Sequence, residues 1–130
     1  MSRLAVLALL LLAPSAHAAL PDYEVPAMRM WGVRPASVEY RWFDRDPWGE
    51  REVVARAYCE PDCVMWLSRP WWLKIRRVER CRIFVHEWGH LVLPGGDYGH
   101  VILNRKSWQI TKVCRAWERE RWARRTLKRS

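Results

Sequence analysis

The alternation of apolar and polar residues predicts short strands in the first half of this chain. Apolar and polar side chains alternate through residues 37–43, which is the two-residue period of a strand with one buried face. Residues 52–59 are rich in Val, Ala and Tyr, and residues 63–67 form a short apolar run. Turn-forming sequences at 44–49 and 60–62 separate the three segments. We therefore predict a small antiparallel meander of three strands.

A helical period replaces this alternation in the second half of the chain. Apolar residues recur at threes and fours from about Trp71 or Lys74 to Leu93. The preceding Ser68-Arg69-Pro70 is typical of a helix start. The sequence Pro94-Gly95-Gly96 ends the helix, because neither proline nor glycine favours its continuation.

Three further segments complete the predicted organisation. Residues 111–129 have apolar positions nearly in helical register and a strongly basic end, which suits the C-terminus of a last helix. Residues 97–103 are predicted to be a loop followed by a few apolar residues. Residues 19–36 carry prolines and no sustained period, so we expect an extended N-terminal arm with a short strand near residues 28–33. The predicted fold class is α+β, with a short sheet packed on helices.

The first 18 residues have the pattern of a secretory signal peptide. Arg3 supplies the positive start, residues 4–12 are apolar, and Ala16-His17-Ala18 matches a small-x-small cleavage site. The apolar run is too short to span a bilayer, and an uncleaved membrane anchor is the alternative interpretation. We expect cleavage after Ala18, with cleavage after Ala19 as the alternative, which leaves residues 19–130 as a single secreted or periplasmic domain.

The cysteines indicate disulfides in that domain. An even number of cysteines in an exported chain predicts two bridges, and a Cys₄ zinc site fits less well because no Cys-x₂-Cys pair is present. The pairing that we favour joins Cys63 to Cys81 and Cys59 to Cys114. These bridges would tie a strand to the central helix and the last helix to the sheet. The two other pairings stay open.

The chain is strongly basic and rich in tryptophan. Its net charge is +9, and arginine is concentrated near the C-terminus. Such a protein is attracted to acidic cell-envelope polymers, anionic lipid or nucleic acid, while simple solubility explains the charge equally well. We expect no specific nucleic-acid partner, and the sequence leaves the oligomeric state open. The ten tryptophans suit either a small core or an interface.

The residues with the clearest chemistry are His86-Glu87-Trp88-Gly89-His90 on the predicted central helix. Because a helix turns once in 3.6 residues, His86 and His90 lie one turn apart on the same face and can bind one Zn²⁺ ion. Glu87 lies beside that face, where its carboxylate can take a proton from a zinc-bound water. Gly89 permits close packing of the chain that returns after the helix. All three histidines outside the predicted signal peptide fall in residues 86–100, which favours metal binding.

A catalytic zinc ion takes three protein ligands, so a third ligand is expected beyond the Pro94-Gly95-Gly96 stop. We favour His100, and the alternatives are Asp97, Glu118 and Glu120. If His100 binds the ion, Asp97 can instead orient an imidazole by accepting its hydrogen bond. Tyr98 is a candidate donor to the oxyanion, although packing against the helix is the more usual role for a tyrosine in this position.

The segment His86-Glu87-Trp88-Gly89-His90-Leu91, preceded by a meander and a cysteine-bearing strand, resembles the zincin metallopeptidases. Among them it is most similar to small secreted metzincin-like proteins of bacteria and phages. The resemblance covers about residues 37–103. It implies a mixed sheet packed on the active-site helix, and an edge strand at residues 63–67 along which a peptide or protein substrate lies antiparallel. It also implies zinc ligation by His86 and His90 and base catalysis by Glu87.

The chain departs from the metzincin pattern after His90. The glycine and the third histidine of that pattern would fall at Leu93 and Gly96, whereas the histidine here is His100. No methionine follows Met65, so the methionine turn beneath the metal is missing from the sequence. The alternative pattern, in which a glutamate of a later helix is the third zinc ligand, stays open.

The function that we expect from these residues is a secreted peptidase that holds one Zn²⁺ ion. One alternative is a non-catalytic zinc-binding relative of a peptidase. The other is a cationic, tryptophan-rich protein that binds the cell envelope or a membrane, with the last helix as its binding element.

Overall fold

The computed structural model describes residues 16–49 and 53–129, with side chains from Leu20 onward. In these residues a three-stranded sheet packs on a layer of helices, so the predicted α+β class is confirmed. No helix in the described ranges is long and apolar enough to cross a membrane. The predicted signal peptide lies outside the described residues, apart from the backbone of its last three positions.

Most predicted elements are present, with shifted boundaries. In the described part of the chain they are α1 Glu24–Trp31, β1 Val38–Phe43, β2 Ala55–Cys59, β3 Cys63–Ser68, α2 Arg69–Lys74, α3 Arg77–Val92, α4 Val101–Arg105 and α5 Ser107–Lys128. Short 3₁₀ segments at Ala16–Tyr23 and Pro94–Asp97 precede α1 and α4. Helix α5 therefore begins earlier than predicted, and α4 forms where a loop was expected.

The order of the strands differs from the predicted meander. β3 lies in the centre, where it pairs in parallel with β1 and antiparallel with β2. The prediction that residues 63–67 form an edge strand is therefore wrong, and the edge strand that contacts α3 is β2. The physical reason is that β3 has buried residues on both faces, including Val64 and Met65, as a central strand requires.

The segment predicted to be an extended arm is helical, and α1 takes the place of the strand expected near residues 28–33. Pro26 did not prevent this, because it lies in the first turn of α1, where a missing N–H breaks no intrahelical hydrogen bond. Leu20 and Ala27 are fully buried, so the segment is part of the core. The helix ends at Gly32, which has φ +68° and donates its N–H to the Met28 carbonyl at 2.8 Å.

The predicted central helix is divided into α2 and α3. Its start is confirmed, since the Ser68 hydroxyl accepts a hydrogen bond from the Trp71 N–H at 3.4 Å and caps α2. The chain is extended between α2 and α3, with ψ 156° at Ile75 and 161° at Arg76. Arg80 of α3 donates to the Trp72 carbonyl at 2.7 Å and so holds the two helices together across the break.

The cysteines form two disulfides, but the predicted pairing is wrong. Cys59 is bonded to Cys63, not to Cys114, and Cys81 is bonded to Cys114, not to Cys63. Cys59 and Cys63 are opposite each other in the register of β2 and β3, so the hairpin itself brings them together. The second bridge joins α3 to α5 in the core. Two disulfides fit an oxidising compartment.

Helix α3 occupies the middle of the domain, between the sheet and helices α1 and α5. Its Phe84 and Trp88 rings stack with centroids 5.8 Å apart in the core. Two indole N–H groups fasten the N-terminal segment to this helix, because Trp31 donates to the Val85 carbonyl at 2.8 Å and Trp88 donates to the Val33 carbonyl at 3.0 Å. The helix that carries the candidate site is therefore held on several sides.

The tryptophans occupy both of the environments that their number suggested. Buried indoles fill the core at Trp72, Trp88 and Trp117. Others are largely exposed, at Trp71, Trp108 and Trp122. Aromatic residues therefore contribute to the core of a small domain and also leave apolar surface in contact with water.

Candidate metal centre and active site

Gly89 lets two other segments approach the site helix closely. A Cβ atom at this position would lie 2.5 Å from Leu103 Cδ2 and 2.9 Å from Trp31 Cζ2. Leu103 belongs to α4, so the chain that returns after α3 packs directly against the turn that carries the histidines. The predicted role of Gly89 in close packing is confirmed.

The chain between α3 and α4 reverses through a run of left-handed residues. Gly95 and Gly96 have φ +64° and +68°, which glycine adopts without strain, and Asp97 and His100 have φ +47° and +53°. The Asp97 carbonyl accepts the His100 N–H at 2.8 Å and closes the turn. The metzincin pattern would place its third histidine at position 96, and the left-handed turn accommodates the additional residues before His100. The turn also brings His100 back over α3.

Asp97 caps helix α4 with its side chain. One carboxylate oxygen accepts the Leu103 N–H at 2.9 Å. Hydrogen bonds from the backbone of Leu103, Ile102 and Val101 lower the pKa of Asp97, so the carboxylate stays charged at the start of the helix. Asp97 therefore orders the turn, and its oxygens are directed to backbone N–H groups rather than to the histidines.

The three histidines come together at the surface of α3. One ring nitrogen from each of His86, His90 and His100 lies within 4.8 Å of the others, and all three side chains are half-buried. The ring centroids are 5.1 Å apart for His86 and His90, 5.3 Å for His86 and His100, and 4.7 Å for His90 and His100. The structure thus brings together the three residues favoured from the sequence.

One of these rings has a fixed orientation. The Nδ1–H of His90 donates to the Gly96 carbonyl at 2.7 Å, which leaves Nε2 with its lone pair free to bind a metal. Burial, together with repulsion from His90 and His100, lowers the pKa of His86 to about 4. Burial also lowers the pKa of His90. His86 and His90 are therefore neutral at pH 7, as metal ligation requires.

Glu87 is a buried carboxyl group beside the histidines, with 8% of its surface exposed. Burial raises its pKa to about 8, although a hydrogen bond from the Ala57 backbone and the positive charge of Arg56 both lower it. The contact with Ala57 ties the carboxyl group to edge strand β2. This carboxyl group is therefore poised to exchange a proton near neutral pH.

Glu87 lines two adjacent cavities. One, of about 450 Å³, extends past His86 and Ile83 toward α5. The other, of about 480 Å³, lies between β2 and the residues His90, His100 and Tyr98. Ala55 of β2 lines both cavities, so the edge strand runs alongside the candidate site.

The remaining candidates lie apart from the histidine cluster or at its rim. Tyr98 lines the second cavity and is 75% exposed, so its hydroxyl can reach a bound molecule but does not pack against the helix core. Glu118 pairs with Arg77 at 3.9 Å, and Glu120 pairs with Arg29 at 2.8 Å. In the described residues, the side chains grouped at metal-binding distance are the three histidines alone.

Two backbone groups of the site were missed in the sequence. The Gly96 carbonyl orients His90, and the backbone of Ala57 contacts Glu87. Neither group has a side-chain signature, although the two glycines after Pro94 did indicate a tight turn at that point.

The donor set fits a zinc ion. Three imidazoles that approach each other within 4.8 Å suit Zn²⁺, which accepts nitrogen ligands and forms catalytic sites with three protein ligands. Two further features favour metal ligation. The lowered pKa values keep His86 and His90 neutral, and the Gly96 carbonyl orients the ring of His90.

Comparison with protein-family models, with curated proteins and with solved structures finds no match to this chain.

Proposed function

We propose that the protein is a zinc-dependent peptidase, in which His86, His90 and His100 hold the ion and Glu87 is the general base. The observation that carries this proposal is the position of Glu87, a buried carboxyl group next to three clustered histidines and open to cavities along an edge strand. The resemblance of His86-Glu87-Trp88-Gly89-His90 to the zincin motif supports the same assignment.

When bound, zinc would lower the pKa of water and polarise a peptide carbonyl. Glu87 would accept the proton of the attacking water on its carboxylate and later give it to the leaving amine. Burial alone would keep Glu87 protonated at pH 7, and the positive charge of a bound zinc ion would favour the carboxylate that must accept the first proton. Tyr98, at the rim of the cavity, would donate a hydrogen bond to the oxyanion.

We infer that a peptide substrate lies along β2. This strand is at the edge of the sheet and lines both cavities beside Glu87. An edge strand can pair with an extended chain through the backbone groups that its neighbouring strand does not use. The substrate strand is thus assigned to Ala55–Cys59 instead of to residues 63–67.

We further propose that the protein acts outside the cytoplasm, in the periplasm or after secretion. The two disulfides suit such a compartment, and the pattern of residues 1–18 is that of a signal peptide.

The test of the peptidase proposal combines metal analysis with a mixed peptide library. Wild-type protein should contain one zinc ion per chain and cleave peptides. Glu87→Gln should keep the zinc while its rate falls by about 1,000-fold or more, because the base is lost but the ligands remain. His100→Ala should lose most of the zinc.

Glu79→Gln is the matched control, because Glu79 lies on the same helix and lines the same cavity but pairs with Arg82 at 3.1 Å. It should keep both zinc and activity. A wild-type protein that binds zinc and cleaves no peptide would be a non-catalytic zinc protein. A protein that binds no zinc would contradict the metal centre itself.

A further inference from the structure

We propose that one face of α5 is a docking surface for an anionic lipid membrane. This membrane face is defined by five residues: Trp108, Lys112, Arg115, Arg119 and Trp122. Successive members are three or four residues apart, so they project from the same side of the helix. The proposal does not depend on the peptidase site.

The membrane face is open to solvent. Trp108 is 61% exposed and Trp122 is 69% exposed, and the three cations between them are exposed as well. The opposite side of α5 is buried in the core through Ile110, Cys114 and Trp117. The helix is therefore fixed in one rotation by its packing, and this rotation keeps the membrane face outward.

The positive charge of this face is not neutralised within the protein. In the described part of the chain, neither Lys112 nor Arg119 forms an ion pair, and the Arg115 guanidinium lies over the Trp108 ring at 5.7 Å. Glu118, at the border of the face, is directed to Arg77 at 3.9 Å. The face thus presents cations that an anionic partner can pair with.

Two arginines on other sides of the same helix are paired within the protein. Arg121 approaches Asp22 at 3.6 Å, and Arg124 approaches Glu120 at 3.6 Å. In the described residues Arg125 and Lys128, near the end of the helix, form no ion pair either, so the membrane face is distinguished by the position of its cations between the two exposed tryptophans.

The tryptophans favour a membrane as the partner. They are 14 positions apart, which corresponds to about 21 Å along a helix that rises about 1.5 Å per residue. Indole rings prefer the boundary between lipid and water, and a bilayer surface can contact both ends of such a face at once. Cations between them would pair with lipid phosphates. A shallow groove of about 590 Å³ beside the face, lined in part by Val78 and Trp122, adds apolar surface.

The test measures binding of the full mature protein to vesicles by sedimentation. Vesicles of phosphatidylcholine with about one-third phosphatidylglycerol should bind the protein, and pure phosphatidylcholine should not. Lys112→Gln/Arg115→Gln/Arg119→Gln should lower the partition coefficient about 100-fold, the loss expected for three cations at an anionic surface.

The matched control removes the same charge from other sides of the helix. Arg124→Gln/Arg125→Gln/Lys128→Gln has an equal net charge and should change the partition coefficient by less than about 5-fold. Trp108→Ala/Trp122→Ala should lower it about 10-fold and reduce the blue shift of tryptophan fluorescence on binding. Circular dichroism should show all three variants folded, because the substituted side chains are exposed.

Three results would overturn the proposal. The first is no binding to phosphatidylglycerol vesicles at physiological salt. The second is an equal loss in the two triple variants, which would show that net charge alone attracts the protein. The third is displacement from vesicles by a single-stranded oligonucleotide at comparable charge concentration, which would identify nucleic acid as the partner instead.

Discussion

Gly89 and Gly96 illustrate how residues without side chains shape the candidate site. Gly89 leaves room for Leu103, and Gly96 supplies the carbonyl that orients His90. Gly96 also has φ +68°, and a Cβ atom there would lie 3.4 Å from the His90 carbonyl oxygen. Gly96 therefore orients the ring of His90, and Gly89 allows α4, the helix that follows His100, to pack against α3.

Gly89→Ala should destabilise the protein. Alanine gains about 1 kcal/mol in helix propensity over glycine, but its methyl group would overlap Leu103 and Trp31, and overpacking costs about 1–3 kcal/mol. These two terms leave a net loss of about 0–2 kcal/mol, and we expect a loss of about 1 kcal/mol in the free energy of unfolding, measured by urea denaturation.

The companion variant tests the cause of that loss. Because Leu103 Cδ2 is the nearest atom, Gly89→Ala combined with Leu103→Val should cost less than the sum of the two single changes. A Gly89→Ala protein that is as stable as the wild type would show that the two helices do not approach this closely in solution.

At the scale of elements, the segment from Pro94 to α4 determines whether the histidine cluster forms. Asp97 connects the two halves of this segment through two hydrogen bonds. Its carbonyl accepts the His100 N–H, and its carboxylate accepts the Leu103 N–H in the first turn of α4. A five-residue helix has little stability of its own, so the cap and the packing of Leu103 must maintain it.

Asp97→Ala should weaken metal binding without abolishing it. Loss of the cap costs about 1 kcal/mol of stability, and loss of a group that positions a ligand lowers metal affinity by about 10–100-fold. Asp97→Asn should retain most of the affinity, because its side-chain oxygen can still accept the Leu103 N–H.

Competition against a chromogenic zinc chelator measures both variants. Asp44→Ala is the control, because Asp44 is an exposed aspartate after β1 and is not part of the histidine cluster. If Asp97→Ala loses zinc as completely as His100→Ala, then Asp97 is a ligand and the cap is not its main role.

Local patterns were sufficient for elements built from neighbouring residues. The periods of two and of three to four located the strands and α3, and the spacing of His86 and His90 placed both on one helical face. The prolines of residues 19–36 argue against a helix there, but Pro26 occupies a position in the first turn of α1 where a helix accepts proline.

Strand order and disulfide pairing could not be obtained in the same way, because they depend on contacts between segments. The turn between Cys59 and Cys63 did carry a usable signal, since two cysteines flanking a tight hairpin turn fall opposite each other. The position of His100 required the left-handed coil at Gly95 and Gly96, of which the sequence revealed only the glycines.

At the scale of the whole molecule, α3 links every layer to the candidate site. It contacts β2 through Glu87, α1 through Trp31, and α5 through the Cys81–Cys114 bridge. A domain of this size buries a limited apolar core, so covalent links supply a large share of its stability.

The two disulfides should contribute unequally to that stability. Closing a loop lowers the entropy of the unfolded chain more when the loop is longer, and the sequence separations are 33 residues for Cys81–Cys114 and 4 residues for Cys59–Cys63. Replacing the first pair by alanines should lower the free energy of unfolding by about 4 kcal/mol, and replacing the second pair by about 2 kcal/mol. Urea denaturation of both double variants measures the difference. Equal losses would mean that the hairpin bridge stabilises the fold through native contacts of its own, instead of through loop closure.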